Sequence, residues 1–211
     1  SEESALNLYK KAKKMDSILI KGIDCHIGSQ ITDLKPFEDS VKKLIVLIDK
    51  LEVQGIKIKH MDIGGGIGIC YEDEKAIPFD DYATAVTTLT KGRDFKILLE
   101  PGRVIMADAG AILTKVEYVK KTQDKNFAII DAAMNDLMRP SLYGAFHKIV
   151  NTSETTDKES VFDIVGPICE TGDFIGKDRV VSIEPNNILV IMDTGAYAMS
   201  MSSNYNSRPR L

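Results

Sequence analysis

Ile97-Leu98-Leu99-Glu100-Pro101-Gly102-Arg103 is the stretch that decides the fold. An aliphatic run too short for a helix ends on a carboxylate, a Pro-Gly turn follows, and Arg103 opens a helical segment. This layout predicts a buried strand that delivers Glu100 to a turn whose backbone N–H groups can meet an anion. Two earlier stretches share it. His26-Ile27-Gly28-Ser29-Gln30 follows the apolar run Ile18–Cys25, and Gly64-Gly65-Gly66-Ile67-Gly68 follows Ile58–Ile63.

Between these runs the spacing is helical. Ala5, Leu8, Ala12 and Met15 predict a helix over residues 2–15 with lysines opposite. Pro36 opens a second, with the stripe Phe37, Val41, Leu44, Ile45, Ile48 and Leu51, stopped by Gly55. A third covers Phe79–Leu89, ahead of the strand Phe95–Leu99. Strand–helix–strand–helix–strand is the rhythm of parallel βα units. All three motifs fall just after strands, where a (β/α)8 barrel or a doubly wound sheet builds its site.

Near residue 110 the period changes. Thr114, Val116 and Tyr118 alternate with Lys115 and Glu117, and Phe127–Asp131, Val161–Val165 and Ile188–Asp193 also read as strands. The polar run 151–160 reads as an exposed hairpin loop. The expected fold class is therefore α/β: the C-terminal part of a (β/α)8 TIM-type barrel, followed by a β-rich domain of sandwich or barrel type. The expected division is 1–107 and 108–211. A full barrel needs roughly 250 residues, so the barrel is expected to be incomplete within these 211 residues and the chain to be a piece of something longer.

Composition excludes several classes. With 44% apolar and 27% charged residues the chain is globular, and its net charge of −4 gives no reason to expect nucleic acid. The aliphatic runs are too short to span a bilayer, and the acidic start does not resemble a signal peptide, so neither membrane nor export is expected. Cys25, Cys70 and Cys169 lie far apart without a C-x-x-C pair, which suits free thiols in the cytoplasm. His26, His60 and His147 lack metal-ligand spacing, so no metal is expected.

The glycine cluster fails the dinucleotide fingerprint, because Ile69 stands where G-x-G-x-x-G needs glycine. What remains is a loop whose backbone can approach an anion closely. Ser29, Gly66 and the Gly102-Arg103 turn can together hold one phosphate. Glu100 either pairs with Arg103 or faces the ring nitrogen of a pyridine cofactor, keeping that nitrogen protonated. His26 is either a core histidine or stacks on a flat ring.

Three further motifs occupy the second half. They are Asp136-Leu137-Met138-Arg139-Pro140-Ser141-Leu142-Tyr143-Gly144, Val165-Gly166-Pro167-Ile168-Cys169-Glu170-Thr171-Gly172-Asp173, and Gly195-Ala196-Tyr197 within a block running to Pro209. With these the chain, from His26 to Pro209, resembles the fold-type III pyridoxal-phosphate decarboxylases. The resemblance implies pyridoxal 5′-phosphate as cofactor, with His26 stacked on its ring and Glu100 on its nitrogen. Ser29, Gly65, Gly66, Gly102 and Arg103 would bind the phosphate. Arg103, Arg139 and Tyr143 would grip the far end of a small amino-acid substrate, Glu170 its distal amine, and Cys169 would donate the proton. Tyr197 would touch cofactor and substrate, and Cys169 and Glu170 would reach across a homodimer interface into a shared site.

The implied reaction is decarboxylation of meso-2,6-diaminopimelate to L-lysine, because Arg139 beside Cys169-Glu170 suits a substrate with a second carboxylate. Ornithine, arginine or carboxynorspermidine are alternatives, as is an inactive homologue that binds a partner. Alanine racemase fits less well, since it lacks the Cys-Glu motif. One departure stands out: the family's Tyr-x-x-Lys-Ala-Asn segment, which supplies the cofactor-anchoring lysine, occurs nowhere in this sequence. The chain alone is expected to be inactive.

Overall fold

The computed structural model describes residues 2–156 and 158–211. Two compact units are present, one built from residues up to Ile69 with Lys75–Val104, the other from Cys70–Glu74 with Ile105–Leu211.

In the first unit, α1 (Glu2–Ala12), β1 (Gly22–Asp24), α2 (Lys35–Val53), β2 (His60–Asp62), α3 (Phe79–Leu89) and β3 (Lys96–Leu98) follow in order, and α4 (Arg103–Met106) starts at its end. The strands form a parallel sheet in the order β1-β2-β3, with Ile23, Met61 and Ile97 in register. Each strand is shorter than its apolar run, because the ladder exists only where a neighbour runs alongside.

Helix α2 lies where its apolar stripe and Pro36 place it. Phe37, Val41, Leu44, Ile48 and Leu51 are buried as expected, Leu47 joins them, and Ile45 is only half-buried. It ends in a Schellman motif: Gly55 (φ 70°) donates to Glu52 and Ile56 donates to Leu51, so the last carbonyls are satisfied. The Phe37 and Tyr82 rings meet edge to face at 5.2 Å, tying α2 to α3. Helix α1 is turned from the expected stripe. Leu8 and Met15 are exposed, while Leu6 and Tyr9 pack inward and the Tyr9 hydroxyl donates to the Gly22 carbonyl at 2.8 Å. That hydrogen bond holds Tyr9 inward.

The second unit contains β4 (Ile112–Lys121), β5 (Asn126–Ile130), α5 (Arg139–Tyr143), β6 (Ile149–Asn151), β7 (Ser160–Val165), β8 (Phe174–Val181), β9 (Ile188–Ile191) and α6 (Ala198–Met201). Its single sheet has the order β6-β9-β4-β5-β7-β8, antiparallel except for β5 with β7. The edge strands approach one another: a Cβ placed on Gly176 of β8 would sit 3.0 Å from Ile149 of β6. The sheet is therefore rolled, which selects the barrel over the sandwich.

Two expectations are corrected. Tyr118 does not continue the inward face of Thr114 and Val116. A bulge between Val116 and Tyr118 shifts the phase, leaving Tyr118 exposed and turning Val119 toward the core. The run 151–160 is not a hairpin loop, since β6 pairs with β9 while β7 pairs with β5 and β8; residue 157 lies outside the described residues.

Phe162 sits in the middle of β7 at 1% exposure, packed with Ile130, Ile164 and Ile175. Phe162→Ala is expected to cost about 3–5 kcal/mol in urea denaturation, against under about 1 kcal/mol for the exposed neighbour Val161→Ala.

Candidate active site

The first unit brings its three motifs together at the carboxyl ends of β1, β2 and β3. Their loops interlock through the glycines. The Gly65 N–H donates to His26 Nδ1 at 3.3 Å, and Glu100 N–H donates to the Gly64 carbonyl at 2.9 Å. The Ile31 N–H donates to the Gly66 carbonyl at 2.9 Å. A Cβ on Gly65 would lie 2.2 Å from the Glu100 carbonyl oxygen, and one on Gly66 2.3 Å from that of Gly28. Gly66 also holds φ at 101°. These positions require glycine because backbone meets backbone there.

Arg103 donates from Nη2 to Ser29 Oγ at 3.0 Å, joining the first and third motifs. Gly102 faces open space, with no atom within 4 Å of an added Cβ. His26 is exposed, so it is not a core histidine. Sequence reasoning missed Asp24 and Asp62. Their carboxylate oxygens and one of Glu100 all lie within 4.8 Å of one another. Asp62 is held there by the Gly64 N–H at 2.9 Å. The three acids make a negative rim suited to a cation. The period-two residue ending each strand was the available signal for Asp24 and Asp62.

In the second unit, Cys169 and Glu170 occupy the β7–β8 loop, both exposed. Glu170 accepts from the Gly172 N–H and from the Tyr205 hydroxyl, each at 3.4 Å. The loop is pinned from below by Asp173, 4% exposed, whose carboxylate accepts from the N–H groups of Met134 and Ile168, each at 2.7 Å. Burial pushes the Asp173 carboxyl above its ordinary value, against the opposing pull of those two N–H groups and of Arg208. Gly166 leaves room for it, since a Cβ there would lie 2.4 Å from a carboxylate oxygen.

Arg139 and Tyr143 open and close the short helix α5, but they differ in exposure. Tyr143 is exposed, whereas Arg139 is buried. Arg139 Nη1 lies 2.8 Å from His147 Nε2, and its guanidinium stands 4.5 Å from the Tyr71 ring centre. Tyr197 adopts a left-handed backbone (φ 70°), a costly conformation for a residue with a side chain. Gly195, two residues earlier, passes so close to Met106 that a Cβ would collide with its carbonyl. The polar block after α6 is sewn down by Asn135 and Asp131: Arg208 Nε donates to Asn135 Oδ1 at 2.9 Å and its Nη2 to the Asp131 carbonyl at 2.6 Å.

Parallel βα units whose glycine loops interlock at the strand tips, and a rolled sheet bearing an exposed thiol–carboxylate loop, define a two-unit α/β protein. A family model for the C-terminal sheet domain of pyridoxal-dependent decarboxylases matches residues 12–195, and the chain belongs to that family.

A diaminopimelate decarboxylase of Neisseria meningitidis serogroup A is 49% identical, over 98% of this chain and 51% of that protein. The crystal structure of AQ1208 from Aquifex aeolicus superposes with a TM-score of 0.96 at 44% identity, covering 100% of this chain and 53% of that one. Diaminopimelate decarboxylase from Helicobacter pylori, crystallised with L-lysine, gives 0.95 at 41% identity, again over 100% and 53%. The chain thus spans about half the length of the curated relatives it matches. Among the described residues no helix is long and apolar enough to cross a membrane.

Proposed function

We propose that this chain contributes the phosphate cradle, the ring-nitrogen partner and the proton-donor loop of a pyridoxal 5′-phosphate-dependent decarboxylase acting on meso-2,6-diaminopimelate. The convergence of Ser29, Gly65-Gly66 and Glu100–Arg103 at three adjacent strand tips carries the reading. Two observations support the cofactor: glycines whose lack of a Cβ lets the three loops close on one another, and three carboxylates gathered within 4.8 Å at the same strand tips. The division at residue 107/108, a homodimer with shared sites and a cytoplasmic location belong to the same proposal.

When bound, pyridoxal phosphate supplies a protonated ring that accepts the electron pair left as CO2 departs. Glu100, reinforced by Asp62 and Asp24, keeps the ring nitrogen protonated. His26 offers its imidazole face to the ring. Ser29, Arg103 and the backbone of Gly65, Gly66 and Gly102 hold the phosphate. The Cys169 thiol delivers one proton to the carbon that lost CO2 and is reprotonated from solvent. Glu170 takes the distal amine, Arg103, Arg139 and Tyr143 the distal carboxylate, and Tyr197 touches both ligands.

A polypeptide containing this chain together with the cofactor-anchoring lysine segment tests the reading. It is expected to be yellow, to bleach with borohydride, and to release CO2 from meso-diaminopimelate but not from ornithine. Release from ornithine alone contradicts the substrate, and absence of colour with added pyridoxal phosphate contradicts the cofactor. The 211-residue chain alone is expected to turn over nothing.

A further inference from the structure

His147 is fully buried and has no part in the reaction as described. An arginine guanidinium is always protonated and only donates. The 2.8 Å contact therefore makes His147 Nε2 the acceptor of the Arg139 Nη1 hydrogen. The proton of the neutral ring must then sit on Nδ1, which donates to the Met192 carbonyl at 2.9 Å. Both ring nitrogens are thus used, and the imidazole is fixed in one tautomer and one orientation. Tyr71 completes the mount. Its ring lies edge to face with His147 at 5.3 Å and under the Arg139 guanidinium at 4.5 Å. Tyr71 is itself buried, at 7% exposure.

The guanidinium is held by its edge and its face, a stronger constraint than loop packing requires. A long side chain free to change rotamer loses entropy each time it grips a ligand, and a mounted one does not. We propose that His147 and Tyr71 are positioning residues that preset Arg139 to recognise the distal carboxylate, and so set the preference for a substrate bearing one. The inference rests on the assignment of Arg139 to that carboxylate.

The test compares two ligands that differ by a single carboxylate, L-lysine and cadaverine, titrated calorimetrically into the holoenzyme. His147→Leu removes the acceptor and is expected to weaken L-lysine about tenfold, to leave cadaverine within about twofold, and to raise KM for meso-diaminopimelate more than it lowers kcat. His147→Gln, whose amide oxygen can replace Nε2, is expected to restore most of the L-lysine affinity. If His147→Leu does not fold, Tyr71→Leu carries the same expectation with a smaller loss.

Equal weakening of both ligands, or no weakening of L-lysine in the folded variants, overturns the proposal. Arg139→Ala separates the two levels. If it weakens L-lysine while the His147 and Tyr71 variants do not, the mount is refuted and the Arg139 assignment survives. If it leaves L-lysine unchanged, the assignment falls and the mount with it.

Discussion

Gly66→Ala is expected to reduce affinity for pyridoxal phosphate by about 10–100-fold. The added methyl would stand 2.3 Å from the Gly28 carbonyl oxygen, a backbone atom with no side-chain freedom to move aside. The residue would also keep φ near 101°, which L side chains rarely adopt. Relief requires the Gly64–Gly68 loop to part from the His26–Gln30 loop, breaking the Ile31–Gly66 hydrogen bond and moving Ser29 away from its place in the cradle. Strain and lost packing of this kind cost about 1–3 kcal/mol or more.

Gly92→Ala is the control. It too has positive φ, 79°, yet nothing lies within 4 Å of its Cβ, so about 1 kcal/mol of stability and no cofactor affinity should be lost. Titration of pyridoxal phosphate into the cofactor-free form of both full-length variants reads the difference. Equal affinities would mean that the cradle is not the phosphate site.

Cys169→Ala is expected to lower kcat by about 10²–10⁴-fold, the range for loss of a positioned proton donor. Cofactor binding should be unchanged and stability should shift by less than about 0.5 kcal/mol, since the side chain is exposed. Asp173→Ala sets the contrast. It touches no reacting atom, but it strips acceptors from the Met134 and Ile168 N–H groups and should cost about 1–3 kcal/mol while also lowering kcat by loosening the loop. A Cys169→Ala enzyme with full turnover would remove the thiol from the reaction.

The two kinds of feature differ in how far the amino-acid pattern reveals them. Helices α2 and α3 were legible because the apolar spacing, and for α2 also Pro36 and Gly55, act locally. The three cradle motifs were legible as glycines and an acid after apolar runs, though not which carbonyl each glycine would meet. The bulge at Glu117 was not legible, because a phase slip leaves the alternation intact on either side and depends on pairing with Ile129 and Ile130. Strand β8 was missed because Gly176, Lys177 and Asp178, the last with φ 53°, interrupt its apolar run.

Asp173 and His147 were hidden for a different reason. Neither lies in an apolar run that would mark it as interior, and only contacts with residues 39 or 45 positions away in the chain make it so. The family resemblance implies a ligand-binding role for Arg139; the structure adds that it is buried on His147 and Tyr71.

The proposed function requires three neighbouring strand tips to hold a single phosphate ester. A crystal structure of the holoenzyme tests it most directly. The cofactor's phosphorus is expected within hydrogen-bonding reach of Ser29 and of the Gly66 and Arg103 backbone, with the ring nitrogen against Glu100. A phosphate seated elsewhere, with Ser29 and Gly66 in contact only with solvent, would contradict it.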